Sequence, residues 1–208
     1  MAALSRRGAI AAGAGLALAG VGRAGAAAVV AGDMSLGDPK APVKVVEYAS
    51  VSCSHCARFN EDTFPALKAK YIDTGKVHYT LKELLTPPQQ VAAAGFLMAR
   101  CAGPAKYFKV VDEIFRSQPR WTSGNIKPVF LEIAKANGMT EAQFEACLTD
   151  EAALNALRER VRKAVQEDKV TGTPTFVING RRFEGSTTPT LAELEAAILP
   201  ALKTGGRR

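Results

Sequence analysis

Val43-Lys44-Val45-Val46-Glu47-Tyr48-Ala49-Ser50-Val51-Ser52-Cys53-Ser54-His55-Cys56 is the stretch that decides the fold. Val43 to Ala49 is rich in β-branched residues and nearly continuously apolar, the pattern of a strand buried in the middle of a sheet. From Cys56 to Tyr71, Phe59, Thr63-Phe64, Leu67 and Tyr71 recur at spacings of three and four, which predicts an amphipathic helix kinked at Pro65. The cysteine pair thus sits where a strand passes into a helix. Free amides in a first helical turn favour negative charge, and two thiols three residues apart can close a small ring. Cys53, the more N-terminal thiol, is expected to be the nucleophile, and Cys56 the resolving thiol.

A CxxC pair by itself is equally half of a zinc site. Zinc would require a second closely spaced pair, whereas Cys101, Cys147 and His78 are each isolated, so no metal and no cofactor are expected. Glu47 interrupts the apolar strand, where an unpaired carboxylate is costly and burial raises its pKa. An acid paired at a sheet edge is the other reading of that position.

Further along, Val77 to Leu85 alternates as a second strand, ended by Pro87-Pro88. Helical patterns follow at Gln89 to Cys101, Lys106 to Ser117, and Pro128 to Asn137, the last stopped by Gly138. Thr140 and Gln143 form a capping-box pattern opening a short helix to Leu148. Glu151 to Asp168 places Leu154, Leu157, Val161 and Val165 on one face. Strand signals return at Thr175 to Asn179 and, after Gly180, at Arg181 to Glu184, predicting a hairpin. Thr190 to Leu202 reads as a closing helix, and Lys203 to Arg208 as a loose tail. This order predicts an α/β fold, a thioredoxin-like core with a helical insertion over about 88–170.

The N-terminus carries an address. Residues 1–28 run from Ser5-Arg6-Arg7 through a Gly/Ala/Leu-rich stretch to Ala24-Gly25-Ala26-Ala27-Ala28, the three-part layout of a cleaved export signal. The paired arginines are similar to those of a twin-arginine signal. The apolar run is too short to span a bilayer as a helix. Residues 29–208 are then the mature domain, expected outside the cytoplasm, in the periplasm. Removing Arg6, Arg7 and Arg23 with the signal lowers the formal net charge from +7 to +4. That charge is not gathered into a basic patch, so no nucleic-acid partner is expected. A hydrophobic content of 47% and a charged content of 23% are ordinary for a globular domain and exclude a disordered chain.

Downstream, Thr171-Gly172-Thr173-Pro174-Thr175-Phe176-Val177 sets a proline just before a strand that otherwise reads as central. A cis bond accounts for that placement, and so does a trans proline ending the preceding loop. Taken with Glu47 to Cys56 and with Ile178-Asn179-Gly180, this segment resembles the DsbA-like branch of the thioredoxin superfamily, over Gly37 to Leu199. The resemblance implies that Thr173-Pro174 is a cis-proline loop beside the Cys53-Cys56 redox disulfide, with substrate peptide pairing near Thr173. It implies that His55 favours the Cys53 thiolate and that Glu47 exchanges protons with Cys56. Ser54 departs from the proline common in that family.

Assigning Cys53 to Cys56 leaves Cys101 with Cys147 as the other possible disulfide, against two unpaired core cysteines. The expected activity is that of an exported thiol-disulfide oxidoreductase, a dithiol oxidase donating its disulfide to folding exported proteins. The family alone implies a membrane quinone-linked partner that reoxidises it. A disulfide isomerase or reductase of the same fold, and a non-catalytic peptide- or metal-binding module, are the competing readings. A monomer is expected, because only about 15 residues separate the signal from the first expected strand.

Overall fold

The computed structural model describes residues 32–205, so the expected export signal and the end of the tail lie outside the described residues. Three strands form the centre of the sheet: β2 (Val43–Ala49), β3 (Val77–Glu83) and β4 (Thr175–Ile178). β2 runs parallel to β3, from Val43 opposite Val77 to Ala49 opposite Glu83, and antiparallel to β4, with Glu47 opposite Phe176. β1 (Met34–Leu36) closes one edge against β3 and β5 (Arg181–Arg182) the other against β4. β1 was not expected from the sequence. Three residues are too short to show a period, and the strand exists because β3 offers it a paired edge.

The apolar run of β2 is explained by its position, since both faces are covered. Val43, Val45, Glu47 and Ala49 point into the main core, while Tyr48 packs on the opposite face with Leu84, Ala164 and Val170. Between β4 and β5 the chain reverses at Asn179 and Gly180, both at positive φ (46° and 77°), the geometry of a tight hairpin turn.

Pro65 breaks the helix after the cysteines rather than kinking it. α1 (Ser54–Asp62) ends at Thr63, α2 (Phe64–Leu67) begins afresh with Pro65 in its first turn, and Lys68–Ile72 forms a π-helical turn. The reason is that proline has no amide hydrogen to continue α1. The closing helix α9 (Leu191–Gly205) extends beyond Leu202, so the expected loose tail is helical as far as Gly205.

Between β3 and β4 lie six helices: α3 (Gln89–Cys101), α4 (Tyr107–Arg116), α5 (Gln118–Trp121), α6 (Ile126–Ala136), α7 (Glu141–Leu148) and α8 (Glu151–Gln166). Thr140 and Gln143 cap α7 reciprocally, side chain to backbone in each direction. On α8, Leu157 and Ala164 are buried but Val165 is 49% exposed, so in the last turn Ala164, packed with Tyr48 and Leu84, holds the inward position. The sulfurs of Cys101, at the end of α3, and Cys147, on α7, are bonded and tie the two helices together. A buried charge cluster fastens the insertion to the sheet. Glu83 at the end of β3 accepts from Arg100 Nε at 2.6 Å, from the Tyr107 hydroxyl at 2.9 Å and from Arg160 Nε at 2.8 Å.

Candidate active site

Cys53 is the N-cap of α1, with extended backbone (φ −86°, ψ 123°), so its side chain faces the unbonded amides of the first turn. The loop that delivers it is held from three directions. Its amide donates to Ser50 O at 3.0 Å. Ser52 donates to Thr86 O at 2.8 Å, and the Thr86 amide donates to Ser50 Oγ at 3.1 Å. Gln118, on α5, donates its side-chain amide to Val51 O at 2.9 Å and Cys53 O at 3.1 Å. Behind the loop, a β-carbon on Gly95 of α3 would stand 2.8 Å from Val51 Cγ2, so glycine is what allows this close approach.

Cys53 is half-buried and Cys56 buried, both as free thiols. The Cys53 thiol donates to Thr173 O at 3.3 Å across the front of the sheet. The Thr173–Pro174 peptide is cis, as is Pro87–Pro88. The Thr173 hydroxyl is buried with no hydrogen-bond partner among the described residues, and it adjoins Cys53.

Electrostatics separate the two thiols. Cys53 is lowered from 9.0 to about 5, chiefly by a hydrogen bond from Cys56, against a burial cost, and further by Thr173 and the amides of Cys56 and His55. Cys56 is pushed well above 9.0 by burial, by its hydrogen bond to Cys53 and by the charge of Glu47. A thiolate next to a protonated partner is therefore the ionic form of this pair near neutrality.

His55 lies on the exposed first turn, with Nδ1 3.3 Å from Thr188 Oγ1. What His55 brings to Cys53 is its backbone amide, while its ring meets the loop before α9. Glu47 is buried beneath the pair, 3% exposed, and burial raises its pKa to about 8 against the opposing hydrogen bond from Tyr79. The Tyr79 hydroxyl donates to Glu47 Oε2. Cys53, Cys56, Glu47, Thr173 and Pro174 are thus brought together, with His55 at the rim.

Sequence reasoning missed Tyr79, Thr86 and Gln118. Tyr79 could have been found from the alternation of β3, which turns Val77, Tyr79, Leu81 and Glu83 inward. Thr86 and Gln118 leave no such trace, because Thr86 meets the Ser50 and Ser52 hydroxyls and Gln118 the Val51 and Cys53 carbonyls, which only the fold brings near. Beside Thr173 an open groove of about 390 Å³ is lined by Leu85, Thr86, Val165 and Val170 among others. Among the described residues, no group of three or more His, Cys, Asp or Glu is placed to hold a metal ion, and no helix is long and apolar enough to cross a membrane.

A family profile described as thioredoxin matches residues 30–198. The crystal structure of Wolbachia pipientis alpha-DsbA1 superposes with a TM-score of 0.76 at 26% identity, covering 83% of this chain and 92% of that one. The chain belongs to the DsbA-like branch of the thioredoxin superfamily. The putative protein-disulfide oxidoreductase of Rickettsia bellii is 32% identical over 173 residues, which is 82% of this chain and 65% of the relative. The probable disulfide bond formation protein D of Bacillus anthracis is 30% identical over 177 residues, 81% of this chain and 78% of that one. This DsbA-like chain spans a little over half the length of several other curated rickettsial relatives it matches, at 53 to 56%.

Proposed function

We propose that this protein is an exported dithiol oxidase that donates the Cys53–Cys56 disulfide to cysteine pairs of folding proteins outside the cytoplasm. The carrying observation is the placement of Cys53. Its sulfur stands at the N-terminus of α1, half-exposed, beside the Cys56 thiol, two helix amides and the Thr173 hydroxyl. These donors stabilise a thiolate, and a stabilised thiolate is a good leaving group, which makes the disulfide containing it a good oxidant.

The reaction has two exchanges. A substrate thiolate attacks Cys53 Sγ, the Cys53–Cys56 bond breaks, and its electron pair passes to Cys56, which takes a proton from Glu47. A second substrate thiolate then attacks the substrate sulfur of the mixed disulfide and expels Cys53 as a thiolate. The substrate has lost two electrons and the enzyme holds them as a dithiol. Thr173 offers backbone for an extended substrate segment, and the groove past Leu85 and Val165 accommodates its apolar side chains. A membrane quinone-linked protein then removes the two electrons. The export layout of residues 1–28 supports a periplasmic location for residues 29–208.

Oxidised protein mixed anaerobically with a two-cysteine peptide tests this reading. One peptide disulfide is expected per protein molecule, with the Cys53–Cys56 pair recovered as thiols. A peptide that stays reduced, alongside steady insulin reduction fed by an external thiol, would shift the assignment to a reductase, the activity suggested by Ser54 between the cysteines.

A further inference from the structure

Tyr79 rises from β3 beside β2, where it is paired with Val45 while Glu47 is paired with Leu81. Its hydroxyl nevertheless reaches the Glu47 carboxyl and donates to Oε2, and both side chains are buried, at 2% and 3% exposure. The ring is fixed between Phe64, at 4.9 Å between centroids, and Phe108, at 6.0 Å. The titratable groups that face this pair are Cys53 at the N-cap of α1, Cys56 within α1 and Tyr107 from α4, the latter acting on Tyr79. β4 sets Phe176 opposite Glu47 and carries no titratable side chain. On α9, Glu195 is engaged by Lys70 and Tyr71, and Glu193 by Thr190.

We propose that Tyr79 is a positioning residue for proton transfer at Cys56: its hydroxyl orients the Glu47 carboxyl and favours its ionised form, which fixes the pH at which Cys56 can be deprotonated. The proposal rests on the reading of Glu47 as the proton partner of Cys56. It matters in the recovery half of the cycle. There the Cys53 thiolate attacks an external disulfide such as glutathione disulfide, releasing one thiolate and leaving a mixed disulfide. Cys56 gives its proton to the Glu47 carboxylate and attacks Cys53 Sγ, the mixed-disulfide bond breaks, and the second thiolate leaves. Glu47 then returns the proton to water. Only ionised Glu47 can accept the proton, so the resolving step follows its titration. Burial already drives the Glu47 pKa to about 8, and the phenol is the donor that opposes a further rise.

The test is the rate of mixed-disulfide resolution against pH, by stopped flow, in the full chain. Wild type is expected to show a midpoint near 8. Tyr79→Phe keeps the ring and is expected to raise the midpoint by about one unit, slowing resolution at pH 7 about tenfold. 3-Fluorotyrosine at position 79, a stronger donor, is expected to lower it, and this variant stands in if Tyr79→Phe does not fold. A midpoint unmoved by both changes, yet abolished by Glu47→Gln, would overturn the proposal and leave Tyr79 as packing. A midpoint that survives Glu47→Gln would overturn the underlying proton-transfer reading instead.

Discussion

Cys53→Ser lowers the rate of dithiol-peptide oxidation by at least about 1000-fold, to the level of a variant lacking both Cys53 and Cys56. Serine cannot form the mixed disulfide, and Cys56 cannot replace it, being fully buried with its thiol pushed well above 9.0. The same substitution removes the thiolate absorbance that titrates near pH 5 in the reduced protein. It also alters how stability responds to pH. Because the folded Cys53 pKa lies below its ordinary value of 9.0, its contribution to the reduced state is complete above pH 9 and is lost as pH falls through about 5. The reduced wild type therefore loses stability relative to Cys53→Ser across that window, as thermal melts at pH 5, 7 and 9 would record. Retention of more than a few per cent of the oxidation rate would show that another group performs the attack.

Glu83→Ala costs roughly 3–5 kcal/mol of folding stability in denaturant titrations. The carboxylate and the Arg100 side chain are at most 1% exposed, and Arg160 is 12% exposed. Removing the anion leaves two guanidinium groups in low-dielectric surroundings, and one nitrogen of Arg160 already has no hydrogen-bond partner among the described residues. Ion pairs in water behave differently. Arg120 and Glu132 meet at 2.6 Å but are 53% and 62% exposed, so water screens the pair and breaking it is expected to leave stability nearly unchanged. A loss below about 1 kcal/mol for Glu83→Ala would mean that the cluster does not anchor the insertion to β3.

The central strand and the helix bearing the cysteines are legible because a buried parallel strand is apolar on both faces and a CxxC at its exit is a local pattern. The capping box of α7 and the Asn179-Gly180 hairpin are legible for the same reason, since each is completed within four residues. What could not be read depends on register and on distant loops. Glu47 could be recognised as an acid out of place, but not its partner, because Tyr79 meets it only after β2 and β3 align. Arg100 looks like an ordinary cation in the last turn of a helix, and its burial against Glu83 follows from how α3 crosses β3. The direction of the His55 ring is decided by Thr188, 133 residues away. Val165 fits the apolar face of α8, yet Ala164 takes the buried position of the last turn and Val165 lines the open groove beside Thr173.

The equilibrium between the Cys53–Cys56 disulfide and glutathione, with the Cys101–Cys147 bond intact, distinguishes an electron acceptor from an electron donor. A thiolate stabilised at Cys53 favours the reduced protein, so the disulfide is predicted to be the stronger oxidant and to be consumed by a modest excess of reduced glutathione. A Cys53–Cys56 disulfide that persists in a large excess of reduced glutathione would rule out donation of the disulfide and assign the protein to electron donation.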